Sequence, residues 1–218
     1  MQTMDVAIEV DYVQLEGTLS VPHDASAIIV FVHGSGSSRF SPRNRQTAKA
    51  LQKAGMATLL FDLLTRGEQE HDNVTAEYRF NIPLLTRRLV GTLGWLRGQS
   101  LVDALPIGLF GASTGAAAAL AASAEIPKVL AIVSRGGRPD LAREALPSVV
   151  APTLLIVGEL DEEVIRLNRK AAEQMACEHE IVIVQGATHL FEEPGKLELV
   201  ERLAVQWFAS KLADGRTH

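Results

Sequence analysis

Six short apolar runs, at residues 27–32, 57–62, 106–110, 129–134, 153–157 and 181–184, alternate with stretches of helical periodicity at about 43–54, 83–97, 114–123, 162–176 and 195–212, with a short helix near 139–145. That alternation leaves few choices of fold. Strands buried on both faces read as continuous apolar runs rather than as alternating ones, and consecutive parallel strands need a helical crossover, so the pattern predicts an α/β protein with a mostly parallel sheet flanked by helices. The opening segment, residues 5–21, alternates enough to be two antiparallel strands turning near Glu16-Gly17. In the last helical stretch Leu197, Val200, Leu203, Ala204, Trp207, Phe208 and Leu212 recur at helical spacing, a stripe that belongs to core packing. Residues 1–218 show no repeat, low-complexity tract or linker, and a chain of this length forms one domain able to bury about 70% of its unfolded surface. Leu63 to Ile82 is polar and reads as the longest irregular segment, a mobile wall.

Chemistry enters at Gly111-Ala112-Ser113-Thr114-Gly115, between the apolar run 106–110 and the alanine-rich stretch that follows. A strand, a sharp turn and a helix with serine at the corner present a hydroxyl from the top of a sheet, near the positive end of a helix dipole. Serine is a poor nucleophile until a base takes its proton, so a histidine and an acid are required elsewhere. Just past the run 153–157 comes Gly158-Glu159-Leu160-Asp161, and just past 181–184 comes Ala187-Thr188-His189-Leu190-Phe191. Loops after successive parallel strands collect on one edge of the sheet, so Ser113, Asp161 and His189 are expected together there. Glu159 and Glu162 are alternative acids, and Asp161 could instead cap the helix beginning near Glu162. His23, His33, His71, His179 and His218 are poorer bases, lying in a turn, at a strand end, in a polar stretch, at a strand start and at the terminus.

The run 27–32 leads into His33-Gly34-Ser35-Gly36-Ser37-Ser38, a small-residue loop that a substrate could approach closely. A developing oxyanion needs two donors, and here the N–H groups of Thr114 and Ser35 are the candidates. The loop has neither the Lys-Ser/Thr of a P-loop nor a G-x-G-x-x-G, so phosphate binding is the weaker reading.

Together HGSGSSR at 33–39, GASTG at 111–115, VGELD at 157–161 and ATHLF at 187–191 resemble the α/β-hydrolase superfamily, most of all its small dienelactone-hydrolase-like branch. The resemblance spans about Val6 to Leu212 and implies an eight-stranded, mostly parallel sheet and cofactor-free hydrolysis of an ester or related bond. Dienelactone hydrolases in the strict sense carry cysteine at the elbow, where this chain has Ser113. Only about 18 residues separate the runs 129–134 and 153–157, where larger hydrolases insert a cap, so a minimal cap and a shallow, open site suited to small esters are expected.

A net charge of -5 supplies no basic field for nucleic acid or an anionic membrane, and the start MQTMDVAIEV has no signal-peptide pattern, so a cytoplasmic location is expected. The single Cys177 excludes an internal disulfide, and no paired Cys or His spacing suggests a metal site. Arginines crowd the expected active edge: Arg39, Arg43, Arg45, Arg66, Arg135 and Arg138. Most read as loop charges paired with Asp62, Glu68, Glu70 or Asp140, whereas Arg135, directly after a buried-looking strand, is the candidate to grip a substrate carboxylate. The reading is a serine hydrolase of small esters or lactones, with no cofactor. A thioesterase or acyltransferase using the same three residues, and a binding protein on a hydrolase scaffold, are the alternatives.

Overall fold

A computed structural model describes residues 1–126 and 128–214 of the chain, so that His218 lies outside the described residues. A hairpin of β1 (Gln2–Val10) and β2 (Val13–Val21) leads into β3 (Ile28–Val32), α1 (Pro42–Lys53), β4 (Ala57–Phe61), α2 (Arg66–Thr75) and α3 (Ile82–Leu96). Then follow β5 (Ile107–Ala112), α4 (Thr114–Glu125), β6 (Val129–Arg135), a 3₁₀ segment (Pro139–Ser148), β7 (Thr153–Gly158), α5 (Glu162–Ala172), β8 (His179–Val184) and α6 (Lys196–Asp214). The eight strands form one sheet in the order β1-β2-β4-β3-β5-β6-β7-β8, and β3 to β8 are parallel, whereas β2 runs antiparallel to both of its neighbours.

The six parallel strands coincide with the six apolar runs, because successive side chains of a strand point to opposite faces and both faces here are covered. Ile28, Val30, Leu59, Leu109, Ile132 and Leu155 pack beneath α3 and α4, against Leu85, Leu89, Leu93 and the alanines Ala117 to Ala119. Their neighbours Ile29, Phe31, Leu60, Phe110, Val133 and Ile156 face the other way, onto Ala48 and Leu51 of α1 and Val200, Ala204 and Phe208 of α6. The small side chains of α4 let it lie close to the central strands. Phe208 is fully buried, and truncating such a side chain to alanine costs about 3–5 kcal/mol.

Two expectations are corrected. The hairpin turns at Asp11 and Tyr12 rather than at Glu16-Gly17: β1 and β2 pair from Gln2↔Val21 to Val10↔Val13, and Asp11 takes the left-handed conformation (φ 53) that a short polar side chain tolerates. Gly17 sits in mid-strand opposite Val6, where a Cβ would lie 3.1 Å from the side chains of Ile8 and Val6, so packing rather than turning calls for glycine there. Nor is Leu63 to Ile82 irregular. It contains α2, whose start is a capping box: the Thr65 hydroxyl accepts from Glu68 N while the Glu68 carboxylate accepts from Thr65 N. Asp72 of α2 is buried and accepts from the backbone N–H groups of Tyr78 and Arg79 and from Arg79 Nε, which stitches the helix end to the next loop. Arg88 of α3 reaches back to Glu68 at 2.8 Å.

Candidate active site

Ser113 joins β5 to α4 with φ 50 and ψ -122, a conformation costing about 1–3 kcal/mol that survives only where the surroundings impose it. They do so through close contact. A Cβ on Gly111 would stand 2.5 Å from Ala116 Cα, and one on Gly115 would stand 2.2 Å from the carbonyl oxygen of Val32. Strand, helix and β3 therefore meet at backbone distance, which explains a glycine two residues to either side of the serine. The loop after β6 then pins the corner: Ser113 N donates to the Arg135 carbonyl at 3.1 Å, and the Ser113 carbonyl accepts from Ala116 N and Arg138 N, each at 3.1 Å.

Asp161 and His189 follow β7 and β8, and Asp161 Oδ2 lies 2.6 Å from His189 Nδ1. Asp161 occupies the N-cap position of α5, yet its side chain makes no capping hydrogen bond there, since the carboxylate is turned to the imidazole instead. Glu159 accepts from Gly186 N at 2.8 Å and so clamps the loop, while Glu162 starts α5 and is exposed. The two loops are fastened to each other by Glu159 N to the Val184 carbonyl and Leu160 N to the Ala187 carbonyl, both at 3.0 Å. They pass so closely that a Cβ on Gly158 would be 2.4 Å from the Ala187 carbonyl oxygen. The imidazole in turn covers Gly136, where a Cβ would lie 3.4 Å from His189 Cε1 and Nδ1. One turn, residues 135–138, thus holds the backbone of Ser113 and carries the ring of His189. With Nδ1 engaged by a carboxylate, Nε2 is the nitrogen left to accept a proton.

The loop after β3, expected to donate to an oxyanion, departs from expectation. Ser35 N is not a free donor, because it donates to the Thr114 hydroxyl at 2.8 Å. The N–H of Thr114, at the first position of α4, lies ahead of the helical ladder, as the first amides of any helix do. His33 is a brace for this loop: Leu63 N donates to its Nε2 at 3.1 Å, which puts the ring proton on Nδ1, 2.9 Å from the Gly34 carbonyl oxygen. Burial pushes its pKa down, and a neutral ring suits that role.

Most arginines of the active edge have anions of their own. Arg39 pairs with Glu16 and Asp62, Arg66 with Glu70, Arg138 with Asp140 and Arg43 with Glu192, while Arg45 lies 4.7 Å from the centre of the Phe40 ring. Arg135 differs. It is 8% exposed, its Nη1 is buried without a hydrogen-bond partner, and its guanidinium lies 5.9 Å from the Phe110 ring centre. Burial and the nearby charge of Arg43 push its pKa down to about 10. Sequence reasoning missed Arg79, whose Nη1 would lie 3.8 Å from a Cβ on Gly36 of the loop after β3 and which Asp72 holds at 2.8 Å. No periodic signal joins those two residues, since α2 ends between them.

Among the described residues no group of three or more His, Cys, Asp and Glu could hold a metal ion, and no helix is long and apolar enough to cross a membrane. Cys177 is half-buried, and burial pushes its thiol pKa up.

Over residues 15–209 the chain matches the dienelactone hydrolase family. The crystal structure of a dienelactone hydrolase from Anabaena variabilis superposes with a TM-score of 0.94 at 54% identity, covering 96% of this chain and 97% of that one. Est1E from Butyrivibrio proteoclasticus superposes with a TM-score of 0.79 over 96% of this chain and 99% of its own, at 17% identity, a likeness of fold alone. A Mycobacterium tuberculosis protein provisionally named a phosphoribosyl transferase is 52% identical over 210 residues, which is 95% of this chain and 46% of that protein. The chain thus spans about half the length of the curated relatives it matches.

Proposed function

Because the chain belongs to the dienelactone hydrolase family, we propose that it is a serine hydrolase that cleaves small esters or lactones through an acyl-enzyme on Ser113. The observation that carries this reading is the 2.6 Å contact of Asp161 with His189 Nδ1, in two loops fastened to each other and lying over the turn that pins the Ser113 corner. Asp161 orients the imidazole and stabilises the imidazolium. His189 Nε2 takes the hydroxyl proton as Ser113 Oγ bonds to the substrate carbonyl carbon, whose π electrons move onto oxygen. The intermediate collapses, the alkoxide leaves with the proton from His189, and an ester to Ser113 remains. Water, deprotonated by the same nitrogen, attacks that ester, and Ser113 recovers its proton as the acid departs. The Thr114 N–H, at the first position of α4, is the backbone donor assigned here to the oxyanion. No step calls for a cofactor.

Arg135 narrows the substrate. Its strand pairs Arg135 with Ala112, the residue before the nucleophile, and it is the one arginine of the edge described above that has neither an anion nor an exposed aromatic ring beside it. An unpaired buried cation at this place suits an ester that brings its own carboxylate. Acyl transfer to an alcohol or thiol would proceed from the same acyl-enzyme, and product analysis with added acceptor separates it from hydrolysis.

The test is p-nitrophenol release from p-nitrophenyl acetate together with labelling by a fluorophosphonate. Ser113→Ala and His189→Ala should each lower kcat by several orders of magnitude, with the double variant little worse than either, since members of one catalytic unit do not add. An active Ser113→Ala, or a wild type that neither turns over nor takes the label, would refute the proposal.

A further inference from the structure

The serine-hydrolase chemistry requires two donors to a developing oxyanion, and the loop amide expected to be the second is already spent: Ser35 N–H points at the Thr114 hydroxyl, 2.8 Å away. That contact is not a surface accident. Thr114 is 2% exposed, and the two residues stand 79 apart in sequence, brought together where the loop after β3 crosses the head of α4. The same crossing is the one that leaves no room for a Cβ on Gly115, 2.5 Å from the carbonyl oxygen of His33. A threonine hydroxyl has one proton to give and two lone pairs to accept with. Here one lone pair takes the Ser35 N–H, and the proton has no acceptor among the described residues.

We infer that the side-chain hydroxyl of Thr114 is the second oxyanion donor, so that one residue supplies both donors, its backbone N–H and its Oγ–H, while Ser35 acts behind it. This rests on the serine-hydrolase reading above. Ser35 N–H fixes the rotamer of the hydroxyl and, by donating to it, polarises the O–H bond toward the oxyanion, the cooperative strengthening expected of a hydrogen-bond chain. Ser35 is thus a positioning residue, and Thr114 is the group that touches the reacting oxygen. The loop that holds this hydroxyl also borders the nucleophile: a Cβ on Gly34 would lie 3.0 Å from Ser113 Cβ, and Ser35, the next residue, is the one that donates to Thr114.

The experiment compares Thr114→Val, which is nearly isosteric but lacks the hydroxyl, with Thr114→Ser, which keeps it. With p-nitrophenyl acetate, Thr114→Val should lose about 100- to 1,000-fold in kcat with KM little changed, the size seen on removing one oxyanion donor. Thr114→Ser should stay within a few-fold of wild type. Thermal unfolding of each variant establishes that it is folded, and Thr114→Ala, which deletes the same hydroxyl without filling its place, carries the comparison if the valine variant does not fold. If Thr114→Val keeps or exceeds the wild-type kcat, the hydroxyl was only blocking the Ser35 amide and the inference is wrong. If Thr114→Ser loses as much as Thr114→Val, the methyl group and its packing matter, and the inference is equally wrong. Both of those results leave an active, fluorophosphonate-labelled wild type in place, so they are distinguishable from failure of the serine-hydrolase reading, in which wild type is inert.

Discussion

Replacing Arg135 with methionine removes a buried cation that has no anion beside it, and leaves an unbranched chain of similar length in its space. Burial and Arg43 push the pKa of this guanidinium down to about 10, well below that of an ordinary arginine. At about 1.4 kcal/mol for each tenfold change in proton affinity, the folded state holds the charge at a cost of about 3 kcal/mol relative to water. The sign is the reverse of that for a paired base. A cation whose pKa is lower in the folded than in the unfolded chain destabilises the fold throughout the neutral range, and the penalty is relieved only as pH rises past about 10. Against the gain from its removal stands the contact with the Phe110 ring, worth about 0.5–1 kcal/mol. The balance is a stabilisation of about 2 kcal/mol, within the range found when buried ions give way to apolar residues, and it should raise Tm by roughly 4–8 °C in a domain of this size. Thermal unfolding at pH 7 reads it directly. The same variant should raise KM by about 10- to 150-fold for esters carrying a carboxylate, the worth of a charge-assisted hydrogen bond, while short neutral esters change little. A Tm that falls by a comparable amount would show that the guanidinium is well satisfied in the folded protein, and equal kinetic losses on both substrate types would make it a support of the loop. Either result refutes the argument from an unpaired charge.

Asp161→Asn should lower kcat by about 10⁴, because the amide favours the wrong imidazole tautomer, whereas Glu159→Gln should be mild, since an amide oxygen can still accept from Gly186 N; steady-state kinetics of the pair decides which acid serves His189. Gly115→Ala would press a methyl group to 2.2 Å from the Val32 carbonyl and should cost about 3 kcal/mol or more in urea unfolding; a loss well below 1 kcal/mol would mean that the corner relaxes easily. Burial alone would raise the pKa of Asp72, but the N–H groups of Arg79 and Tyr78 and the Arg79 guanidinium outweigh it and hold the carboxyl below its ordinary range. The stability that this provides is full above about pH 5 and is lost as pH falls through the depressed value. Asp72→Asn should therefore be clearly less stable than wild type at neutral pH and approach it in acid, and a stability gap that does not narrow on acidification would contradict the assignment.

The central sheet was legible because its strands are buried on both faces: Ile28 to Val32 or Thr153 to Gly158 can hardly be read as anything else. That Asp161 and His189 come together was legible for a related reason, since each lies in the loop after such a run. What failed was local. Helix α2 has almost no apolar periodicity, and its evidence was the Thr65–Glu68 capping pair, a signal easily lost in a polar stretch. Gly17 looked like a turn because glycine serves both turning and close packing, and only the register with Val6 tells the two apart. Ser35 was chosen for its place in the loop, but whether an amide is free depends on a side chain 79 residues away. Arg135 stood out in the sequence by its place directly after a buried-looking strand, but that its buried Nη1 has no hydrogen-bond partner depends on how the neighbouring loops pack.

His189 belongs to the margin of the sheet, in the loop after its edge strand. β8 has a neighbour on one side only, and most of its residues are exposed or half-exposed, whereas β5, which carries the serine, is buried between β3 and β6. Transient fraying starts where few buried contacts hold a segment, so amide exchange should be faster along β8 and its loop than in β5. If His189 is the base of the proposed mechanism, each such opening displaces it without disturbing the corner where Ser113 sits. Turnover then becomes a gauge of the integrity of one margin: on mild heating or in dilute urea it should decline while the spectroscopic signature of the central strands is still intact, and it should return at once when the margin closes.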